Sequence, residues 1–226
     1  MYLNDESVNV PALSRYRESL SNSCPNHIVI DGLFDEDKLN EVVNILQQED
    51  YWQTQKHTYS ALYVDDNQWQ QASKDERFVQ RGIWQCDELS GNNAQDFLSF
   101  LRGDEFMSVL SCIFNVQLTD ITVEDPAINT NYFRLGARDF VEQHADDSPG
   151  REVCMLLYLN KDWAEADGGE LVFIGEDDAP VRIAPLFNRC VLFDPSSKGS
   201  EHWVEKMNPK NTEIYRYNIT SWYWSV

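Results

Sequence analysis

The stretch Asp139-Phe140-Val141-Glu142-Gln143-His144-Ala145-Asp146 decides how this chain folds and where its chemistry sits. It reads as a strand, closed by the turn-forming run Ser148-Pro149-Gly150 and followed by a second strand over 152–160. Side chains at i and i+2 of a strand share a face, so His144 and Asp146 leave the strand end side by side. Working outward, further strands are expected at 131–136, 170–175, 181–185, 188–194, 202–207 and 215–225. Gly168-Gly169 and Pro195-Ser196-Ser197 punctuate them.

The N-terminal half has another texture. After a short strand at His27-Ile28-Val29-Ile30, Asp35 can cap a helix carrying Leu39, Val42, Val43 and Leu46 at helical spacing, with Glu36 and Asp37 in its first turn. A second helical stretch, from about Asn93 to Phe114, is expected to break in two at Gly103. Between these helices, Thr58 to Val64 reads as a strand, followed by the polar segment Asp65 to Glu76 around Trp69. Helices followed by many short strands make an α+β, mainly β chain, a jelly-roll-like barrel backed by N-terminal helices. Residues 1–24 are polar and aperiodic and read as a loose leader. Residues 25–226 then form a single domain, with helical support over 25–130 and the barrel core over 131–226, since no linker divides them.

Composition narrows the function classes. Hydrophobic residues at 42% and aromatics at 12% supply a real core. A formal charge of −20 argues against nucleic acid, whose phosphates need Lys and Arg. The acidity serves solubility or a saline habitat, or attracts a basic protein substrate or cations such as Fe(II). Five scattered cysteines, Cys24, Cys86, Cys112, Cys154 and Cys190, suit reduced thiols in a cytoplasmic setting better than a disulfide frame. No apolar run reaches membrane-spanning length, and no signal-peptide pattern opens the chain. Asn218-Ile219-Thr220 matches a glycosylation acceptor but falls inside an expected strand, and it reads as a chance match.

Two of the four histidines, His144 and His202, fall where a partner strand could complete a site with Asp146. Two neutral imidazoles and one carboxylate make a 2-His-1-carboxylate facial set. It leaves coordination positions open and suits Fe(II). An isolated H-x-D triplet is weak by itself. His27 reads instead as a strand-edge residue and His57 as a surface residue. Arg216, flanked by strand residues and facing the barrel interior, needs an anion to justify burial.

Beyond the triad lie Tyr158-Leu159-Asn160-Lys161-Asp162-Trp163, Gly168-Gly169-Glu170-Leu171, Asn188-Arg189-Cys190-Val191-Leu192-Phe193, His202-Trp203-Val204 and Arg216-Tyr217-Asn218-Ile219-Thr220-Ser221-Trp222-Tyr223. This ordered series resembles that of the 2-oxoglutarate/Fe(II)-dependent dioxygenases of the prolyl 4-hydroxylase type, including the oxygen-sensing prolyl hydroxylases. The resemblance runs from about Asn131 to the C-terminus, with less specific similarity back to His27. It implies a double-stranded β-helix (a cupin-like barrel) with helices on one side. It implies His144, Asp146 and His202 as ligands of Fe(II), and Arg216 as the grip on the distal carboxylate of 2-oxoglutarate. Tyr158 and Thr220 match positions whose hydroxyls assist at that carboxylate, and Tyr132 would contact the other end of the co-substrate. Leu171 reads as pocket lining or core, and Trp222 and Tyr223 as packing. The segment from His202 to Arg216 is longer than in the oxygen-sensing relatives, with an extended hairpin turn over Met207-Asn208-Pro209-Lys210-Asn211-Thr212.

The implied catalytic set is His144, Asp146, His202 and Arg216, with O2 as oxidant and ascorbate (vitamin C) as reductant. Asp146 favours hydroxylation over halogenation, because related halogenases replace this carboxylate by a small residue. A prolyl residue in a protein or peptide is the first expectation for the substrate, and a free amino acid or natural-product scaffold the alternative. A reading of another class is a non-catalytic or iron- or oxygen-responsive binding module. By the same resemblance, Asp65–Glu76, around Trp69 and Tyr63, takes the place of the substrate-covering loop of the prolyl hydroxylases and reads as a lid or as an ordinary exposed loop with one packed Trp. Neither a nucleic acid nor a membrane is expected as a partner, and the residues do not decide an oligomeric state.

Overall fold

The computed structural model describes residues 2–85, 91–177, 179–210 and 212–225. Its helices are α1 (Val10–Asn22), α2 (Glu36–Leu46), α3 (Asp66–Gln71), α4 (Asn93–Leu101) and α5 (Asp104–Phe114). The first strands are β1 (His27–Asp31), β2 (Trp52–Thr58), β3 (Arg77–Trp84), β4 (Leu118–Thr119), β5 (Thr130–Leu135) and β6 (Phe140–Val141). Then come β7 (Arg151–Tyr158), β8 (Leu171–Glu176), β9 (Ala179–Ile183), β10 (Arg189–Phe193), β11 (His202–Val204) and β12 (Arg216–Ser225).

A nine-stranded sheet runs β1-β10-β7-β12-β5-β3-β2, with β4 beside β12 and β6 beside β3, and a three-stranded sheet runs β11-β8-β9. Strand parity distributes the core. Val153, Met155 and Leu157 of β7 join Ile28, Ile30, Leu192, Ile219 and the apolar faces of α2, α4 and α5 in one buried cluster. The alternate residues Cys154, Leu156 and Tyr158 pack instead against Leu171, Phe173 and Ile183 of the small sheet. A strand buried on both faces reads as a continuous apolar run, and that is what β7 is.

The expected barrel is not closed. Two antiparallel sheets face each other, and near the site they are linked by one reciprocal bridge. His144 N–H donates to His202 O at 3.0 Å and His202 N–H donates to His144 O at 2.9 Å. The expected long strands shrink accordingly, since 139–146 keeps only β6 plus that bridge and 202–207 keeps only β11. Nor is the segment from His202 to Arg216 a hairpin, because β11 and β12 lie in different sheets. Within its expected turn, Asn211 lies outside the described residues.

The helices follow their local signals. Asp35 caps α2 by accepting from Lys38 N–H, and Leu39, Val42, Val43 and Leu46 are buried. Gly103 is the N-cap of α5, and its N–H donates to Phe100 O at the end of α4. Two expectations fail, and one strand was not foreseen. Residues 10–22 of the supposed leader form α1, capped by Asn9 with a Pro in the first turn, burying Ala12 and Leu20. Of Thr58 to Val64 only Thr58 is strand, as the end of β2, and 59–64 form an irregular loop folded back on it. Strand β3 was not anticipated, since Arg77, Gln80 and Arg81 interrupt its apolar pattern. Among the described residues no helix is long and apolar enough to cross a membrane. Cys24, Cys112, Cys154 and Cys190 are free thiols, and Cys86 lies outside the described residues.

One side chain ties the helical layer to the sheet. Asn188, at φ +56°, accepts from Phe34 N–H at 3.2 Å and donates to Phe34 O at 2.8 Å. Asn tolerates the left-handed region, and its amide satisfies a buried backbone pair at once. Asn188→Ala is expected to lower stability by about 2–4 kcal/mol, read as a lower urea midpoint with an unchanged slope. An unmoved midpoint would remove this role.

Candidate metal centre

His144, Asp146 and His202 converge, each offering one ligand atom within 4.8 Å of the others. His144 Nε2 lies 3.7 Å from Asp146 Oδ1, and His202 Nε2 lies 3.8 Å from Asp146 Oδ2. The opposite ring nitrogens face backbone carbonyls, His144 Nδ1 at 2.9 Å from Glu142 O and His202 Nδ1 at 3.0 Å from Ser200 O. A proton on Nδ1 leaves each Nε2 lone pair aimed into the cluster, which is how outer partners orient a ligating imidazole. Burial, with His144 adding to it, pushes His202 down to about 4, against the pull of Asp146. Burial works against the Asp146 charge, but His144, His202, the Trp222 indole and Arg151 outweigh it and hold the carboxyl below its usual range. Neutral imidazole at His202 and ionised carboxylate at Asp146 are the states a divalent cation requires.

The carboxylate is held from outside. Trp222 Nε1–H donates to Asp146 Oδ2 at 3.0 Å, so Trp222 does more than the packing expected of it. Arg151 donates to the Asp146 carbonyl and lies against the Trp222 and Trp224 rings at 5.3 and 5.0 Å. Tyr223 does pack as expected, its hydroxyl donating to Leu101 O at 3.0 Å.

Arg216 lines the same chamber as the triad. It is 2% exposed, yet its partners are neutral: Nε donates to Gly169 O and Nη1 to Asn218 Oδ1, both at 2.6 Å. Asn218 Nδ2 in turn donates to Thr220 Oγ1 at 3.0 Å, leaving the Thr220 proton available to a further acceptor. Among the described residues, Arg216 Nη2 and Tyr158 Oη are buried without a hydrogen-bond partner, and the guanidinium lies 4.8 Å over the Tyr158 ring. Burial pushes the Tyr158 phenol up to about 12, so it stays a donor. A buried cation with an idle N–H beside an idle hydroxyl fits one carboxylate. Gly169, at φ +84°, makes room, since a Cβ there would fall 2.7 Å from Met207 Sδ and 3.0 Å from Arg216 Cδ.

Leu171 is buried in the inter-sheet cluster and lines the chamber wall. Tyr132 is a correction. It pairs with Ile219, faces the helical layer and donates to Ala94 O at 2.8 Å, so it lies on the wrong face of β5 to meet a co-substrate. His57 is not a surface residue. It is buried, accepts from Tyr63 N–H at 2.8 Å and stacks on Phe78, which in turn tilts against His144. Burial first, then Arg81 and His144, push it down to about 4. The Asp65–Glu76 segment holds the capped helix α3, with Trp69 buried between Arg77 and Lys56. Sequence reading missed Asn218 and Arg81. Asn218 sits midway between Arg216 and Thr220 on a period-2 strand, a signal obscured by reading it only as a glycosylation match. Arg81 lies on the unanticipated β3.

Trp222→Phe should keep the ring and lose the N–H, weakening Mn(II) affinity about tenfold in a spin-resonance titration. Unchanged affinity would reduce Trp222 to packing. Gly169→Ala should displace Arg216 and weaken 2-oxoglutarate binding while sparing Mn(II), and equal loss of both would point to general misfolding.

Residues 130–224 match the family model of the 2OG-Fe(II) oxygenase superfamily. The chain is 34% identical over 91 residues to human Egl nine homolog 1, covering 37% of this chain and 19% of that protein. It is 27% identical over 149 residues to mouse prolyl 3-hydroxylase OGFOD1, covering 62% of this chain and 26% of that protein. The chain thus spans about a fifth to a quarter of these curated relatives. Among solved structures, a Pseudomonas putida prolyl-4-hydroxylase aligns at TM-score 0.64 and 16% identity, over 95% of this chain and 99% of that one. A Trichoplax adhaerens prolyl hydroxylase in complex with a hypoxia inducible factor peptide fragment aligns at TM-score 0.65 and 20% identity, over 98% and 96%. At such identities the likeness speaks for the fold, a double-stranded β-helix with helices on one side. The donor set fits the Fe(II), and the idle Arg216–Tyr158 pair the 2-oxoglutarate, that the superfamily's description names. Residues 130–224 thus match the 2OG-Fe(II) oxygenase superfamily model, and the fold as a whole is similar to that of solved prolyl hydroxylases.

Proposed function

We propose that this protein is a 2-oxoglutarate- and Fe(II)-dependent dioxygenase that hydroxylates an unactivated C–H bond, with a prolyl residue of a protein or peptide as the first substrate class. The observation that carries the reading is the buried Arg216 cation, without an anionic partner among the described residues, in one chamber with the triad. His144, Asp146 and His202 would hold the iron, Trp222 keeping the carboxylate in place. Arg216, Tyr158 and Thr220 would hold the distal carboxylate of 2-oxoglutarate, and Asn218 would keep the guanidinium in plane. When bound, iron and 2-oxoglutarate supply the oxidising chemistry with O2, releasing succinate and CO2, with ascorbate proposed as reductant.

The peptide preference draws on the named relatives, which are prolyl hydroxylases, one of them in complex with a peptide. It draws also on the site's mouth. Two open grooves of about 550 and 600 Å³ meet there, sharing Tyr63, Arg81, Ile128 and Trp222. Exposed Tyr59, Leu62 and Tyr63 offer an apolar rim to a chain laid across it.

Succinate formation from 2-oxoglutarate under Fe(II) and ascorbate, abolished in His144→Ala, is the expected result. Arg216→Ala should lose at least about 2 kcal/mol of 2-oxoglutarate binding while keeping Mn(II) affinity. No succinate from the wild type would leave the binding-module reading, and normal 2-oxoglutarate binding by Arg216→Ala would sink the anchor assignment.

A further inference from the structure

The molecule carries 38 acidic against 18 basic residues, yet its site mouth has the opposite sign. Around the chamber and the two grooves, Lys56, Arg81, Arg151 and Arg216 are the charged lining residues besides Asp146, the sole acid among the described residues there. Three of these cations are committed within the architecture derived above. Lys56 is paired with Asp66 at 2.5 Å, Arg151 braces Asp146, and Arg216 faces the co-substrate pocket.

Arg81 has no such commitment. It shares one face of β3 with Val79 and Ile83 and borders the chamber and both grooves. Its Nε donates to Gln55 Oε1 at 2.8 Å, and its guanidinium carbon lies 3.5 Å from the Phe133 ring centroid. These two contacts orient the plane of the fork and use one of its five N–H groups. Among the described residues, neither Nη1 nor Nη2 has a hydrogen-bond acceptor or an ion-pair partner. Asp146 acts on Arg81 across the chamber but makes no ion pair with it, so in a chain with twice as many acids as bases an oriented half-buried guanidinium without a carboxylate in contact is not explained by stability.

Resting on the hydroxylase reading above, we propose that Arg81 receives a carboxylate carried by the substrate, so that substrates with an acid group close to the hydroxylated carbon are selected. The Nη1/Nη2 edge matches two carboxylate oxygens in a bidentate pair. Neutral Gln53, Thr54, Gln55 and Asn131 line the groove alongside it and add hydrogen-bonding groups without an opposing charge. The acidic outer surface would repel such a substrate at long range. Arg81, the uncommitted cation, draws the acid inward once it reaches the mouth, so selection is local. The carboxylate has two sources, an Asp or Glu side chain beside the target residue or the α-carboxylate of a small acid or chain end.

A capture experiment separates them. Wild-type protein, loaded with Mn(II) and the unreactive co-substrate analogue N-oxalylglycine and then immobilised, is offered pools of peptides with random residues on either side of one proline. One pool has free C-termini and the other amidated ones. The expected result is about tenfold enrichment, either of Asp and Glu at a flanking position or of free over amidated termini, which identifies the source. Arg81→Met should abolish the enrichment and Arg81→Lys should retain part of it, which a purely structural role would not produce. Equal capture of acidic and neutral peptides by the wild type overturns the proposal without any variant, and so does undiminished enrichment in Arg81→Met. Wild type that binds Mn(II) and the analogue but shows no acid preference removes the anion site alone. Protein that binds neither removes the hydroxylase reading with it.

Discussion

The register of β12 is the constraint on which the site depends. This strand is hydrogen-bonded to β7 along one edge and β5 along the other, and both its faces are covered. Arg216, Asn218, Thr220 and Trp222 take one parity and face the chamber, whereas Ile219 and Tyr223 take the other and enter the core against the helices. A slip of one residue would bury the guanidinium among aromatic rings and aim Ile219 at the metal ligands. Two paired edges and a ten-residue length make that slip prohibitive. The anchor, its in-plane support and the Asp146 brace are thus one geometric unit.

Opposite this strand, the metal ligands sit where the fold is least continuous. His144 and Asp146 follow a strand of two residues, and His202 opens a strand of three. The reciprocal backbone bridge between the two histidines sets their ring centroids 4.4 Å apart. Long ladders on both sides would close the barrel and fill its mouth. Short ones leave the ligands at an open end while the backbone bridge still fixes their spacing, which is what a site that must admit co-substrate, O2 and substrate requires.

Much of this was legible beforehand. The helices capped by Asp35 and split at Gly103, and the strands at β1, β5, β7, β8, β10 and β12, follow from period and punctuation because their faces are apolar. The triad and Arg216 stand out because His is rare here and a strand Arg needs an anion. What escaped reading has a common cause. Polar residues that become buried by facing the site, such as Gln55, His57 and Arg81 on β2 and β3, disrupt the very pattern by which strands are recognised. Tyr132 went wrong by one unit of parity, and α1 was hidden by a polar surface of Ser, Arg and Glu.

The amino-acid sequence by itself determined the classes of element, the identity of the ligand set and the presence of a strand cation that needs an anion, because these rest on residue type and short-range periodicity. Only the tertiary structure decided which polar groups stay unpaired. That Arg216 Nη2 and Tyr158 Oη are idle, that Trp222 reaches Asp146 and that Arg81 faces the mouth with a free edge all depend on how two sheets and their loops are stacked. Hydrogen-bond satisfaction is a property of neighbours distant in the chain, and no local pattern encodes it.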